Sequence, residues 1–192
     1  MTETDYFLAL QGLLDASICQ APSVMGGHYR LLEPNQDPFD LNVNGLSSSH
    51  KAIRLEKLRG DWSCFKMPHK HAHKCCDSIL VSWKKASNGV GEGPVFLLVE
   101  LKSNDKGTAR KQLGASLAFC HFVHLMVGVG ELTLPAARFA AITVLNMPFS
   151  LKTVSIPTLP NWVPPPLHID CRHMRFDRSR GSLPVAAVVA TI

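Results

Sequence analysis

Apolar residues in this chain come in short runs bounded by Gly, Pro, Asn or Ser. The first run, in MTETDYFLALQGLLDAS, repeats at helical spacing. It predicts an amphipathic helix over residues 5–18, with Thr4 as N-cap. Residues 20–50 are rich in Gly, Pro, Asn and Ser, and within them EPNQDPFDLNVNGLSSS predicts a long loop. Loops of that length in a compact domain are commonly functional or mobile. KAIRLEKLR, residues 51–59, fits a short helix or a strand, and residues 61–67 fit a strand that stops at Pro68. Two apolar runs then flank Asn88-Gly89, at about residues 75–84 and 94–102, and read as a hairpin.

Residues 105–127 carry the strongest helical pattern, with Asn104 or Asp105 as cap. Leu113, Leu117, Cys120 and His124 fall on one face, and Gly128 or Gly130 ends the helix. ARFAAITVLNMP reads as a buried strand ending at Pro148, and TLPNWVPPPLH as an extended Pro-rich segment. The tail LPVAAVVATI suits a last strand or a packed terminal segment. There is no internal repeat. The order strand-strand-helix-strand predicts an α/β fold with a mixed central sheet flanked by helices. A length of 192 residues suits one domain over 1–192, with its core at about 61–147 and a Pro-rich extension over 157–192.

The hairpin sets up the chemistry. A two-residue turn at Asn88-Gly89 needs positive φ at both positions, which these residues tolerate best. It pairs Ser87 with Val90 and, further out, Asp77 with Glu100. Directly opposed residues on one face have Cβ atoms about 5 Å apart. Two carboxylates at that distance can share one hard cation. Lys102, two residues beyond Glu100, belongs to the same face. A wider loop over GVGEG would instead slip the register and send Asp77 to the other face. Without a cation the two carboxylates repel, and one keeps its proton. With Mg²⁺ or Mn²⁺ both ionise, and a bound water becomes a nucleophile. A lysine there can orient or deprotonate that water, or stabilise the developing oxyanion. A Glu-x-Lys tripeptide alone is common on solvated surfaces. Here it closes an apolar strand that faces another acid.

These residues resemble the core of the PD-(D/E)xK, restriction-endonuclease-like, nucleases. Asp77 matches the first acid, Glu100-Leu101-Lys102 the (D/E)xK motif, and Gln112 the glutamine near the start of the following helix. The resemblance spans roughly residues 75 to 125. Cys76 stands where the nominal motif has proline, and an earlier helical glutamate has no clear counterpart beyond Glu33 or Glu56. The resemblance implies a restriction-endonuclease-like sheet flanked by helices, Mg²⁺ dependence and a nucleic-acid substrate, DNA before RNA. It further implies metal ligation by Asp77, Glu100 and the Leu101 carbonyl, catalysis by Lys102 with help from Gln112, and dimerisation in many relatives. A small nuclease domain endangers its own cell, so a protein partner and a defence or genome-processing role are expected.

Charge is compatible with that substrate. The net charge is +5 and the pI about 9.0. Lys84, Lys85, Lys106, Arg110 and Lys111 lie in or beside the proposed core as candidate phosphate contacts. Arg172, Arg175, Arg178 and Arg180 form a second basic run, and a solvated surface is the alternative for both clusters. MPHKHAHKCC offers a competing metal site. His69, His71, His73, Cys75 and Asp77 alternate, so an extended chain would place them on one face as Zn²⁺ ligands. His168, Cys171 and His173 could supply a second pair. Cys75 and Cys76 equally suit a core as small apolar residues. The six cysteines show no disulfide framework, the N-terminal stretch is acidic, and no run is long enough to span a membrane. A cytoplasmic protein with reduced thiols is expected. Two other functions fit: a non-catalytic binding module with structural zinc, and a subunit of a larger complex using the Pro-rich 157–166 segment.

Overall fold

The computed structural model describes residues 1–20, 28–32, 40–45, 50–53, 75–86, 92–102, 109–131, 133–145, 162–163, 171–177 and 182–192. Helix α1 spans Glu3–Leu13. Its N-cap is Thr2, not Thr4. Thr2 Oγ1 accepts from the Asp5 N–H at 3.2 Å, and the Thr2 N–H donates to Asp5 Oδ2 at 3.0 Å. This reciprocal capping box needs an acid three residues after the cap; Thr2 has Asp5 there, whereas Thr4 has Phe7. Tyr6, Phe7 and Leu10 form the buried face of α1.

Three strands follow, and the third lies inside EPNQDPFDLNVNGLSSS, the stretch expected to be a long loop, a correction. They are β1 (Cys19–Gln20), β2 (His28–Leu32) and β3 (Asp40–Asn44). β2 and β3 pair antiparallel from His28–Asn44 to Leu32–Asp40. Backbone pairing overrides the turn-rich composition, whose Gly and Pro flank the strands. Next come β4 (Lys51–Ile53), β5 (Ser78–Lys84) and β6 (Gly93–Lys102). Helix α2 (Ala109–Val127) leads to β7 (Arg138–Leu145). After β8 (Trp162–Val163), β9 (Arg172–Asp177) and β10 (Leu183–Pro184), helix α3 spans Val185–Thr191. The expected strand at 61–67, the Asn88-Gly89 turn and the α2 caps Asn104 and Asp105 lie outside the described residues.

The main sheet runs β1-β4-β5-β6-β7-β9-β8. Its outer members β1 and β8 are two residues each, so five strands make its body. β4, β5 and β6 are antiparallel, while β6, β7 and β9 are parallel. The fold is thus mixed α/β. Gly93 begins β6 because nothing larger fits: a Cβ there would lie 2.4 Å from the Ala136 carbonyl oxygen. Gly130, at φ +90°, supplies the left-handed residue in the turn after α2.

The two faces of the sheet are buried differently. Ile79, Val81, Trp83, Phe96, Leu98, Phe139 and Ala141 meet α1 and α2. Leu113, Leu117, Cys120 and His124 all point inward from α2, as their spacing requires. Leu80, Leu97, Val99, Ile142 and Val144 face α3 and a smaller sheet, β10-β3-β2. The tail is therefore a short strand followed by a helix. Val185, Val188 and Val189 share one helical face and bury it. Among the described residues, no helix is long and apolar enough to cross a membrane.

Candidate metal and phosphate site

The register of β5 on β6 is the one a turn at Asn88-Gly89 would impose. Lys84 faces Gly93 and Ser78 faces Val99. One further step sets Asp77 opposite Glu100. Asp77 Oδ2 accepts from the Leu101 N–H at 2.7 Å. β5 has ended there, so the carboxylate completes the ladder at the exposed edge of β6. A strand residue that exchanges bonds with its neighbour sends its N–H and C=O to the same side. The Leu101 carbonyl therefore faces the Asp77 edge as well.

Parity along β6 turns Glu100 away from Val99 and Leu101, toward the α2 face, where it is fully buried. Its neighbours across the sheet are Thr143 on β7 and then Arg175 on β9. Met174 and Phe176 pack on the α3 side, so Arg175 belongs to the same face as Glu100. Buried Thr143 Oγ1 and His173 Nε2 are 3.1 Å apart. Glu100, Thr143 and Arg175 thus form one row across three strands, with Asp77, one residue before β5, at its β6 end. The row lies toward the C-terminal ends of the parallel strands, where sheets of this kind bind ligands.

Helix α2 holds the Asp77 end of this row. Gln112 Nε2 donates to the Cys75 carbonyl at 3.3 Å, and Ser116 Oγ accepts from the Cys76 N–H at 2.8 Å. Successive turns of one helix therefore fix Cys75 and Cys76, the two residues before Asp77. Gln112, expected as a catalytic helper, has its amide on this main-chain carbonyl. Burial pushes the Cys76 thiol well up, and the Glu100 and Asp77 carboxylates push in the same direction against the Ser116 hydrogen bond. Lys102 ends β6, its Cα paired with Leu145.

The candidate phosphate contacts separate. Lys84 ends β5 and Lys85 follows it, about 23–26 Å from Asp77 at the usual strand rise. Lys84 Nζ donates to the Ala190 carbonyl at 3.5 Å, near the end of α3. Lys85 lines a separate cavity of about 580 Å³ with Phe7, His50, Lys51 and Trp83. Arg110 and Lys111 are in the first turn of α2, with Lys111 exposed. Lys106 lies outside the described residues, as do His69, His71, His73 and His168.

Cys75 and Cys76 are both buried in the α1–α2 core, so the alternation expected of an extended zinc-binding run does not continue to Asp77. Burial also raises the Cys120 thiol well above its usual value, with Cys171 and Cys75 adding to the shift. Cys76 and Cys120 are thus neutral core thiols. Among the described residues no cluster of three or more His, Cys, Asp or Glu side chains is disposed to hold a metal. The oxygen set fits a hard cation by its chemistry: two carboxylates with a main-chain carbonyl at the same edge. One Asp77 oxygen already accepts an N–H, and a carboxylate has about four acceptor sites in all.

Thr143 carries no motif signal, while His173 was expected only as part of a second zinc pair and Arg175 only within the second basic run. Their signal was the alternation of His173 and Arg175 with Met174 and Phe176, hidden within an apparent basic run. Comparison with models of known families, with curated proteins and with solved structures found no match.

Proposed function

We propose that this chain is a metal-dependent nuclease that hydrolyses the phosphodiester backbone of nucleic acid, DNA in preference to RNA. The observation that carries the reading is the Asp77 carboxylate, one residue before β5, held by the Leu101 N–H next to Glu100 on β6. The mixed sheet between helical layers agrees with the restriction-endonuclease-like core that the motif resemblance implies. Asp77, Glu100 and the Leu101 carbonyl would hold Mg²⁺ or Mn²⁺. The cation would supply charge stabilisation and an acidified water. Lys102 is assigned to that water. Gln112 and Ser116 are positioning residues, fixing the segment that delivers Asp77. The proposed defence or genome-processing role, with a protein partner or second copy, belongs to this reading.

A second reading has its own observation. Glu100 is fully buried and Asp77 satisfies a main-chain N–H, which suits a non-catalytic nucleic-acid- or protein-binding module of the same fold. A cleavage assay separates the two. Plasmid DNA, single-stranded DNA and RNA are incubated with Mg²⁺, Mn²⁺ or EDTA and with wild type, Glu100→Gln or Lys102→Ala. Metal-dependent cutting that falls by at least about a hundredfold in both variants supports the nuclease. Unimpaired cutting by Glu100→Gln refutes it. Absence of cutting by a folded wild type selects the binding module.

A further inference from the structure

We infer that Arg175 grips a backbone phosphate of the nucleic acid at the far end of the Asp77–Glu100–Thr143 row; this rests on the proposed nucleic-acid substrate. Arg175 shares its register position with Thr143, and Thr143 with Glu100. Two strand spacings separate the Glu100 and Arg175 backbones by about 10 Å. A phosphodiester held by the carboxylate end has its neighbouring phosphate roughly one nucleotide away, within reach of an arginine side chain. Arg175 is exposed, on the face that carries the acids. Its planar guanidinium can take two phosphate oxygens at once. The row thus carries opposite charges at its two ends: acids suited to a cation, and a cation suited to a phosphate.

Thr143 and His173 are the supports of this arrangement. Their 3.1 Å contact ties β7 to β9 on the site face, immediately beside Arg175. The bond fixes the strand that presents the guanidinium. Arg172 is the internal contrast. It is also exposed and three residues away, and it reaches the Thr191 carbonyl at the end of α3. It carries the same charge on the opposite side of the sheet.

The test is metal-free binding of a fluorescent DNA duplex and a single strand of the same sequence, titrated with NaCl. Wild type, Arg175→Gln, Arg175→Lys and Arg172→Gln are compared after circular dichroism shows that each is folded. Removing one cation that neutralises a phosphate lessens the slope of log K against log salt by about 0.9 for a duplex and about 0.7 for a single strand. We expect that change for Arg175→Gln, its restoration by Arg175→Lys, and a wild-type slope for Arg172→Gln. Equal losses in the two glutamine variants would assign the effect to net charge and overturn the inference. A wild-type slope for Arg175→Gln would also overturn it, while leaving the nuclease reading to its own cleavage assay. Failure of the wild type to bind either probe would remove the substrate and the inference together.

Discussion

Substituting Asp77 separates its structural work from its proposed chemistry. Its carboxylate accepts the Leu101 N–H at 2.7 Å, a short, charge-assisted bond at a fully buried residue. Hydrogen bonds to charged groups contribute about 1.5–3 kcal/mol, and stranding a buried donor costs about 1–3 kcal/mol. Asp77 is half-buried, which favours the lower half of that range. Asp77→Ala should therefore destabilise the protein by about 2 kcal/mol. For a chain of this length that is a fall in Tm of about 4–8 °C. Asp77→Asn can turn its amide oxygen to the same N–H and keep a neutral bond of about half the strength. Its loss should be about 1 kcal/mol. Urea unfolding of the three proteins gives the ranking, and the cleavage assay is run on the same preparations. Asparagine replaces an anionic oxygen with an NH₂ group, so Asp77→Asn should keep its fold and lose metal-dependent cutting. Identical midpoints for wild type and Asp77→Ala would refute the claim that this carboxylate completes the edge of β6. Asparagine as damaging to stability as alanine would show that charge, not the N–H bond, matters at this position.

Other predictions concern the supporting scaffold. Gly93→Ala sets a methyl group against the Ala136 carbonyl oxygen, where backbone must move, and should cost about 1–3 kcal/mol in thermal or urea unfolding. His124 lies within 3.1 Å of the Tyr6 hydroxyl, and burial lowers its pKa below the usual 6.5, with His121 adding to the shift. The folded state thus binds its proton less readily than the unfolded chain. Stability is full above about pH 6.5 and falls as pH drops through the lowered value. His124→Gln should flatten unfolding free energy against pH over that acidic interval, and an unchanged profile would exclude His124 as its source.

The hairpin register was legible because turn chemistry and alternation both constrain it. Asn88-Gly89 dictated a pairing that holds from Lys84–Gly93 to Ser78–Val99. The inward face of α2 was legible for the same reason: its spacing has one solution. Other features depend on partners distant in sequence. His28–Leu32 and Asp40–Asn44 look like turn-rich chain until they are paired with each other. The valines of VAAVVAT favour a strand locally, but Val185, Val188 and Val189 bury one helical face together. β9 was obscured by its arginines, whose charge drew the reading toward a surface. Its place beside β7, and with it the alignment of Arg175 with Glu100, is a tertiary fact. The capping box at Thr2–Asp5 was visible in the letters. Thr2 is followed three residues on by Asp5, and Thr4 only by Phe7.

The row of side chains also has an order of arrival. Its members are residues 77, 100, 143 and 175, and the parallel pairings that align the last three join segments far apart along the chain. Such contacts form late, because distant segments must first be brought together. During synthesis the acids emerge from the ribosome well before β7 and β9 exist to complete their surroundings. A nascent or truncated chain would carry the motif without the assembled row. For a protein whose proposed activity threatens its own genome, the topology itself delays the hazard until β7 and β9 have been made.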